Sequence, residues 1–403
     1  MTSSNRPLAL VAGDISMVRA LGRQGIPVAL ATSETDAPIL HSRYCRSIVR
    51  IPSWVSDPDG AVDALIRWAR TQPSKPVLFY QGDHDLVAVS RSRDRLAEVF
   101  SFVLPPAGLV DALTDKLKFE DLARERELPV PRTLRLRPGD DVRARLRDWT
   151  DFPAVLKPSM RTNWYSRIGC LQKALRVQSR AELDEQLALI GSLDIDLLVQ
   201  AAVEGGEDRI VSYHAYVRPD GSIAAEFTGR KVRTFPRLYG ISSHVTITDD
   251  REVLQAGRSV VGRLGFTGVL KADFKIDERD ERMFLLEINP RFNLWHHPGT
   301  VAGVPIPQIV YEDCTGVPRR REAPRLTGAG VRWVDPVLDW MACKEYCAAG
   351  ELTRGRWLVQ LVTAAVNEGF TWRDPMPGLV ALRARIDRRL ARWFGHHAVR
   401  ADR

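Results

Sequence analysis

Two stretches of the chain alternate apolar and polar residues with the period of two that belongs to a β-strand. In "VLKADFKID" (269 to 277), Leu270, Ala272, Phe274 and Ile276 form one face, and Lys271, Asp273 and Lys275 the other. In "MFLLEINPRFN" (283 to 293), Leu285, Glu287, Asn289 and Arg291 point one way, and Leu286 and Ile288 the other. The polar run "DERDER" between them reads as a hairpin loop. With the loop's midpoint at Asp280, antiparallel pairing sets Asp273 directly opposite Glu287. Opposed residues have Cβ atoms roughly 5 Å apart, where like charges are destabilising. A shared proton, a lysine or a divalent cation relieves such a pair. With Asn289 as a further oxygen donor the set suits a hard cation such as Mg²⁺, which is usually held by one or two carboxylates together with substrate phosphates. The competing reading is a solvated sheet face. Pro290 blocks further ladder pairing, so the strand should end there and release Arg291 into a cleft.

Elsewhere, residues 7 to 105 alternate strand signals ("PLALVAG", "IPVALAT", "PVLFYQGDHD") with helical ones, which implies a parallel sheet with helical crossovers. Gly13 follows the first strand without a Gly-x-Gly-x-x-Gly pattern, so close approach to a pyrophosphate is not encoded there. Asp83 and Asp85 follow an apolar strand at its carboxyl end, as ligand contacts or as a turn. "LTDKLKFEDLARERELPVPRT" (113 to 133) reads as a helix with Thr114 as N-cap. In "FPAVLKPSM", Lys157 emerges from an apolar strand, where a lysine snorkels to water or holds a phosphate as a point charge. "LLVQAAVEGGEDRIVSYHAYV" (197 to 217) reads as strand, turn, strand: either an ordinary hairpin, or a segment whose backbone pairs with a flat heterocycle while an acidic side chain takes a ribose.

At 403 residues the chain suggests two or three domains. Its 44% hydrophobic and 27% charged residues are those of a globular protein. No secretory signal or membrane-length apolar run is visible, and the expected compartment is the cytoplasm. Five dispersed cysteines argue against a disulfide framework; Cys343 and Cys347 share a helical face without a histidine at zinc-ligand spacing. A net charge of +8 suits a nucleotide or a nucleic acid, and charge alone does not choose. Much of the excess lies in "PGLVALRARIDRRLARWF" (377 to 394), where Leu379, Leu382, Ile386, Leu390 and Trp393 recur at helical spacing; the expectation is a docked helix with its basic face in water.

Taken together, these segments resemble the ATP-grasp superfamily, most closely its predicted carboxylate-amine ligase group. The resemblance runs through "ALVAGDISMVRALGRQGIPVAL", "HSRYCRS", "LTDKLKFEDLARERELPVP", "AVLKP", "LLVQAAVEGGED", "GRKVRTFP", and "KADFKID" with "FLLEINPRFNLWHHPGTVAGV", and extends into "WVDPVLDW" and "DPMPGL"; the acidic block of "KADFKID" with "FLLEINPRFN" is the most specific. It implies an α/β ATP-grasp fold: a Rossmann-like N-terminal pre-ATP-grasp domain over 1–108, an ATP-grasp domain over 109–318 with a lid at about 133–200, and a basic, mostly helical extension over 319–403. Carried over by position, Lys116 and Lys157 would hold the ATP α- and β-phosphates. Gln200, Ala201 and Val203 would meet adenine, the latter two through backbone atoms, and Glu207 the ribose. Asp273, Glu287 and Asn289 would bind Mg²⁺ or Mn²⁺. Arg291 would stabilise the transferring phosphoryl group, and Lys231, with Arg233, would approach the γ-phosphate or a substrate carboxylate. One departure stands out: residues 158 to 172 read "PSMRTNWYSRIGCLQ", with Gly169 alone where many members carry a glycine-rich loop, so Arg161, Arg167 and Lys173 are candidate substitutes. The implied reaction joins a small carboxylate to an amino-acid-like amine through an acyl phosphate, with no nucleic acid and no membrane span, and with a homodimer among the assemblies allowed. His296 and His297 are candidates to contact substrate or deprotonate the amine, or are packed histidines. The rivals are a non-catalytic, regulatory ATP-binding relative and a nucleic-acid binder using the basic C-terminus.

Overall fold

The computed structural model describes residues 6–159, 174–190, 196–316 and 325–387. Arg161, Arg167 and Lys173 lie outside them, as do Leu390 and Trp393. The apolar runs of the first hundred residues become a parallel sheet of β1 (Ala9–Ala12), β2 (Val28–Thr32), β3 (Cys45–Arg50) and β4 (Val77–Tyr80), in the order β3-β2-β1-β4. β1 and β4 are wholly buried, as strands covered on both faces must be. β3 escapes the hydrophobic pattern because it is an edge strand in which Arg46, Ile48 and Arg50 are exposed and Val49 alone is buried. Crossing from β3 back past β2 and β1 to β4 makes β1 and β4 the switch point of the sheet.

A second sheet holds β5 (Thr133–Leu136), β6 (Ala154–Pro158), β7 (Leu175–Val177) and β8 (Leu197–Ala201), ordered β5-β8-β6-β7 with antiparallel pairing. The third contains β9 (Ile210–Val217), β10 (Ile223–Phe235), β11 (Ile241–Thr248), β12 (Gly268–Ile276), β13 (Met283–Asn289), β14 (Arg332–Val334) and β15 (Val366–Asn367), ordered β13-β12-β9-β10-β11-β14-β15. The hairpin reading of 197–217 is therefore corrected: β8 pairs with β5 and β6, β9 with β10 and β12, and the segment between them passes from one sheet to the other. Thr114 is not the expected cap either. It ends the helix Ala107–Thr114, and Asp115 caps Lys116–Glu125 by accepting from the N–H groups of Leu117 and Lys118.

Residues from far along the chain close the N-terminal sheet. Arg19, in the helix Ile15–Gly22, is 1% exposed and spends its guanidinium on the Asp374 carboxylate (3.0 Å) and the Glu368 carbonyl (2.7 Å). Asp374 also accepts from the Ser42 hydroxyl and the Arg43 N–H. The C-terminal segment is thus part of the fold, supplying β14 and β15 to the large sheet. Beyond it, the helix over 376–387 departs from expectation, since Leu379, Leu382 and Ile386 are each about half exposed rather than docked. No helix among the described residues is long and apolar enough to cross a membrane.

The helix Arg251–Leu264 packs on β9 through Gly257, where an added Cβ would lie 2.1 Å from the Tyr213 ring. Alanine at a helix interior gains up to about 1 kcal/mol over glycine, but overpacking costs about 1–3 kcal/mol. Gly257→Ala should lower the denaturant midpoint at unchanged m-value; a raised midpoint would show that Tyr213 moves aside freely.

Candidate active site

β12 and β13 pair antiparallel with Asp273 opposite Glu287 and Lys271 opposite Asn289, the register expected from the loop. A β-bulge follows: Phe274 faces Leu285, and the remaining pairs are offset by one residue. The extra residue reverses the alternation of β13. Leu285 and Ile288 thus both enter the core with Leu270, Ala272 and Phe274, so Leu285 does not share the polar face with Glu287.

What lies beside Asp273 is lysine. The carboxylate is 1% exposed and accepts from Lys271 Nζ at 2.6 Å and from the Ser212 hydroxyl, with Lys231 Nζ at 3.5 Å. Burial alone would raise the Asp273 pKa, but the two ammonium groups and the hydrogen bonds outweigh it and hold it well below the usual carboxylate range. Burial pushes Lys271 down, against Asp273. For Lys231 burial is outweighed by Asp273, Glu287 and Glu207, and its pKa is raised. Glu287 is exposed and accepts from Asn289 Nδ2 at 3.1 Å. Lys271 was legible on the polar face but given no role by the sequence reading; its signal is its position two residues from Asp273, which puts both on one side of β12. Trp295 packs over the same face, its ring 5.5 Å from Lys271 Nζ and 2.4 Å from where a Cβ on Gly229 would stand.

Two further lysines come from the second sheet and its neighbour. Lys157 Nζ donates to Gln200 Oε1 at 3.0 Å, and Gln200 Nε2 donates to Thr133 at 2.8 Å. Burial lowers the Lys157 pKa, while Glu120 and Glu287 oppose the shift, so Lys157 and β13 share one electrostatic neighbourhood. Lys116 Nζ donates to the Pro158 carbonyl at 2.7 Å, beside Lys157. The Ala201 N–H donates to the Arg132 carbonyl, and Val203 is 8% exposed. Glu207 is 8% exposed and accepts from the Thr234 hydroxyl at 3.2 Å.

Arg291 reaches the N-terminal sheet: its guanidinium meets Asp83 Oδ1 at 2.5 Å, the Gln81 carbonyl at 2.9 Å and Asn289 Oδ1 at 3.2 Å. Asp85 makes a turn instead, accepting from the N–H groups of Gln81 and Gly82. Arg233 does not accompany Lys231. A bulge falls between them, and Arg233 forms a buried two-point pair with Asp339 at 2.9 and 2.8 Å. His296 is buried, pushed down to about 4 by burial, and hydrogen-bonded to the backbone of Asn293, which is a packed histidine's environment.

Among the described residues no three of His, Cys, Asp or Glu gather closely enough to hold a metal by themselves. Two opposed carboxylates and an amide oxygen are nevertheless the hard, all-oxygen donor types that suit Mg²⁺ shared with phosphate oxygens; Glu287 is open to solvent, while Asp273 holds Lys271 and Lys231 and Asn289 Oδ1 holds Arg291.

The three-sheet arrangement is the ATP-grasp fold. Among solved structures, an ADP complex of N5-carboxyaminoimidazole ribonucleotide synthetase superposes with a TM-score of 0.59 at 15% identity over 82% of each chain. An L-amino acid ligase from Bacillus licheniformis gives 0.56 at 16% identity, covering 77% of this chain and 74% of its own. In sequence, the chain is 26% identical over 292 residues to the D-aspartate ligase of Enterococcus faecium (strain Aus0004), spanning 70% of this chain and 69% of that one. No protein-family model matches the chain.

Replacing Asp273 by Asn leaves two buried lysines without their carboxylate, for which about 3–5 kcal/mol of destabilisation is expected. Because the folded pKa is depressed, the wild-type advantage is present above the unfolded value of about 3.9 and shrinks as pH falls through it. Urea midpoints of both proteins between neutral pH and pH about 3 check this; a pH-independent gap would contradict it.

Proposed function

We propose that the chain is an ATP-dependent carboxylate-amine ligase, forming an amide through an acyl phosphate and releasing ADP and phosphate. The observation that carries this reading is the Asp273 and Glu287 pair on neighbouring strands, flanked by Lys231 and Lys271 and followed by Arg291. The similarity to a D-aspartate ligase supports an amino acid as one substrate, and the ADP complex among the fold's neighbours supports the nucleotide.

In this reading Lys116 and Lys157 hold the α- and β-phosphates, and Gln200, Ala201 and Val203 line the adenine site. The Ala201 N–H already serves the ladder to Arg132, which leaves its carbonyl as the partner for the base. Glu207 takes the ribose. Asp273, Glu287 and Asn289 would hold Mg²⁺ (or Mn²⁺), which supplies charge neutralisation at the β- and γ-phosphate oxygens. Lys231 and Lys271 present buried ammonium groups where the negative charge of a substrate carboxylate and a transferring phosphoryl group accumulates. Arg291 is kept at this position by Gln81 and Asp83 and faces the acyl phosphate. A carboxylate oxygen attacks the γ-phosphorus and ADP leaves. The amine nitrogen then attacks the acyl carbon, the C–O bond to phosphate breaks with its electron pair, and the amine loses a proton. The second sheet and its helices, about 133–200, form the lid that keeps water from the acyl phosphate. ATP chemistry of this kind belongs in the cytoplasm.

The test supplies MgATP with D-aspartate and each of the twenty L-amino acids, singly and in pairs, and follows ADP. A productive pair loses the mass of one water, and Glu287→Gln should cut its rate by at least about 100-fold. ATP binding without ADP release under any pairing would instead favour a regulatory relative, and near-normal rates in the variant would remove Glu287 from the site.

A further inference from the structure

We propose that the carboxyl ends of β1 and β4 form a binding site for a primary ammonium group, built by Asp14 and Glu368; it rests on the ligase reading only in identifying that group with the amine substrate. Open parallel sheets bind ligands outside the carboxyl ends of their strands, at the point where strand order reverses. In this sheet that point lies between β1 and β4. Asp14 follows β1 and Gln81 follows β4, and the two loops are joined by the Asp14 N–H donating to Gln81 Oε1 at 2.8 Å. Gly13 permits this approach, since a Cβ there would stand 2.2 Å from the same oxygen. Gly13, Asp14 and Asp83 are exposed, so the mouth is open to solvent.

Glu368 arrives from the C-terminal segment. It accepts from the Ser16 hydroxyl and from Trp333 Nε1, both at 2.7 Å, which fixes its carboxylate beside the first turn of the helix that Asp14 caps. The two carboxylates repel each other: although Asp14 has an exposed edge at the mouth, the protein packed around its carboxyl group desolvates it and, with Glu368, pushes it up to about 6. Among the described residues no lysine or arginine forms an ion pair with either one: Glu368 has His297 alone, and Arg19 is committed to the Asp374 carboxylate and the Glu368 carbonyl. A second feature points into the same place. His297 is 3% exposed, and its Nδ1 makes no geometric hydrogen bond, standing 3.8 Å from Glu368 Oε2, close enough for the imidazole to hold the Glu368 carboxyl below its ordinary range against burial. Two carboxylates at one mouth supply the acceptors an ammonium requires, and His297 at 3.8 Å is a looser partner that an ammonium can displace from Glu368. The site also adjoins the chemistry, because the Gln81 whose side chain holds Asp14 gives its backbone carbonyl to Arg291.

The experiment uses n-butylammonium as a generic primary ammonium and n-butanol as its uncharged counterpart, with binding to the full chain read by ligand-observed NMR. Butylammonium should bind the wild type at millimolar concentration and butanol should not. Asp14→Asn and Glu368→Gln should each weaken binding at least about tenfold. Asparagine is an equally good helix cap, and glutamine keeps an oxygen for Ser16 or Trp333, so folding is preserved; should one variant fail to fold, the other carries the test. No butylammonium binding to the wild type, or unchanged affinity in a folded variant, overturns the proposal. Titration with a fluorescent ATP analogue separates the two readings: a protein that binds butylammonium but not ATP refutes the ligase and keeps the site, and one that releases ADP yet ignores butylammonium does the reverse.

Discussion

The arrangement of the large sheet depends on one buried charge. Asp273 stands on β12 with a lysine two residues before it, a second lysine reaching over from β10, and a serine across the ladder on β9. An isolated carboxylate in this position would cost several kcal/mol in desolvation, and so would either lysine. Together they are tolerable, and the constraint runs both ways: β9, β10 and β12 must keep their register for the charges to meet. Glu287, directly opposite, is left to solvent and is the carboxylate best placed to take up new positive charge.

Around that centre, contacts between sheets do the positioning. Lys157 leans on Gln200 within the second sheet while feeling Glu287 of the third, and Lys116 reaches the end of β6 from the helix before the sheet begins. Arg291 leaves the end of β13 and grips the loop after β4, so the third sheet is tied to the first. A nucleotide held among these groups would touch every sheet. Burial depresses Lys157 and Lys271, and the carboxylates that oppose it come from other elements for Lys157 and chiefly from the same strand for Lys271.

The part of this legible in the sequence was the part with short-range periodicity. Alternation along 269–277, alternate polar positions from Glu287 onward and a six-residue polar loop between them indicated which carboxylates meet, and the parallel sheet followed from repeated strand and helix signals. The bulge after Asp273 was not legible, because hydrophobic patterning carries no mark for an extra residue; Leu285 and Leu286 are chemically identical, yet only Leu285 is buried at 0% exposure. Contacts across long separations were equally hidden. Arg19 and Asp374 lie 355 residues apart, and nothing in either neighbourhood announces the pair. Lys271 was in plain view; what the sequence lacked was the geometry showing that a lysine, and not an empty gap, lies beside Asp273.

The fate of Lys231 and Arg233 shows how one backbone irregularity divides labour between site and scaffold. Two residues apart on a regular strand, they would share a face. The bulge between them breaks the alternation, so Lys231 turns to Asp273 while Arg233 turns to Asp339 on the helix Pro336–Ala348. There the guanidinium also meets His244 Nδ1 at 2.6 Å, which, with burial, pushes His244 down to about 4 and keeps it neutral. Asp339 in turn accepts from Ser243 and Trp357, so β10 is clamped to the C-terminal helices by a buried hydrogen-bond network. The C-terminal segment therefore bears on the site from two directions: through Asp339 it fixes the strand that carries Lys231, and through Glu368 it reaches the mouth of the N-terminal sheet. A lysine on a flexible stem keeps its place beside a buried carboxylate only if its strand cannot shift, and Arg233 supplies that restraint without approaching the chemistry itself.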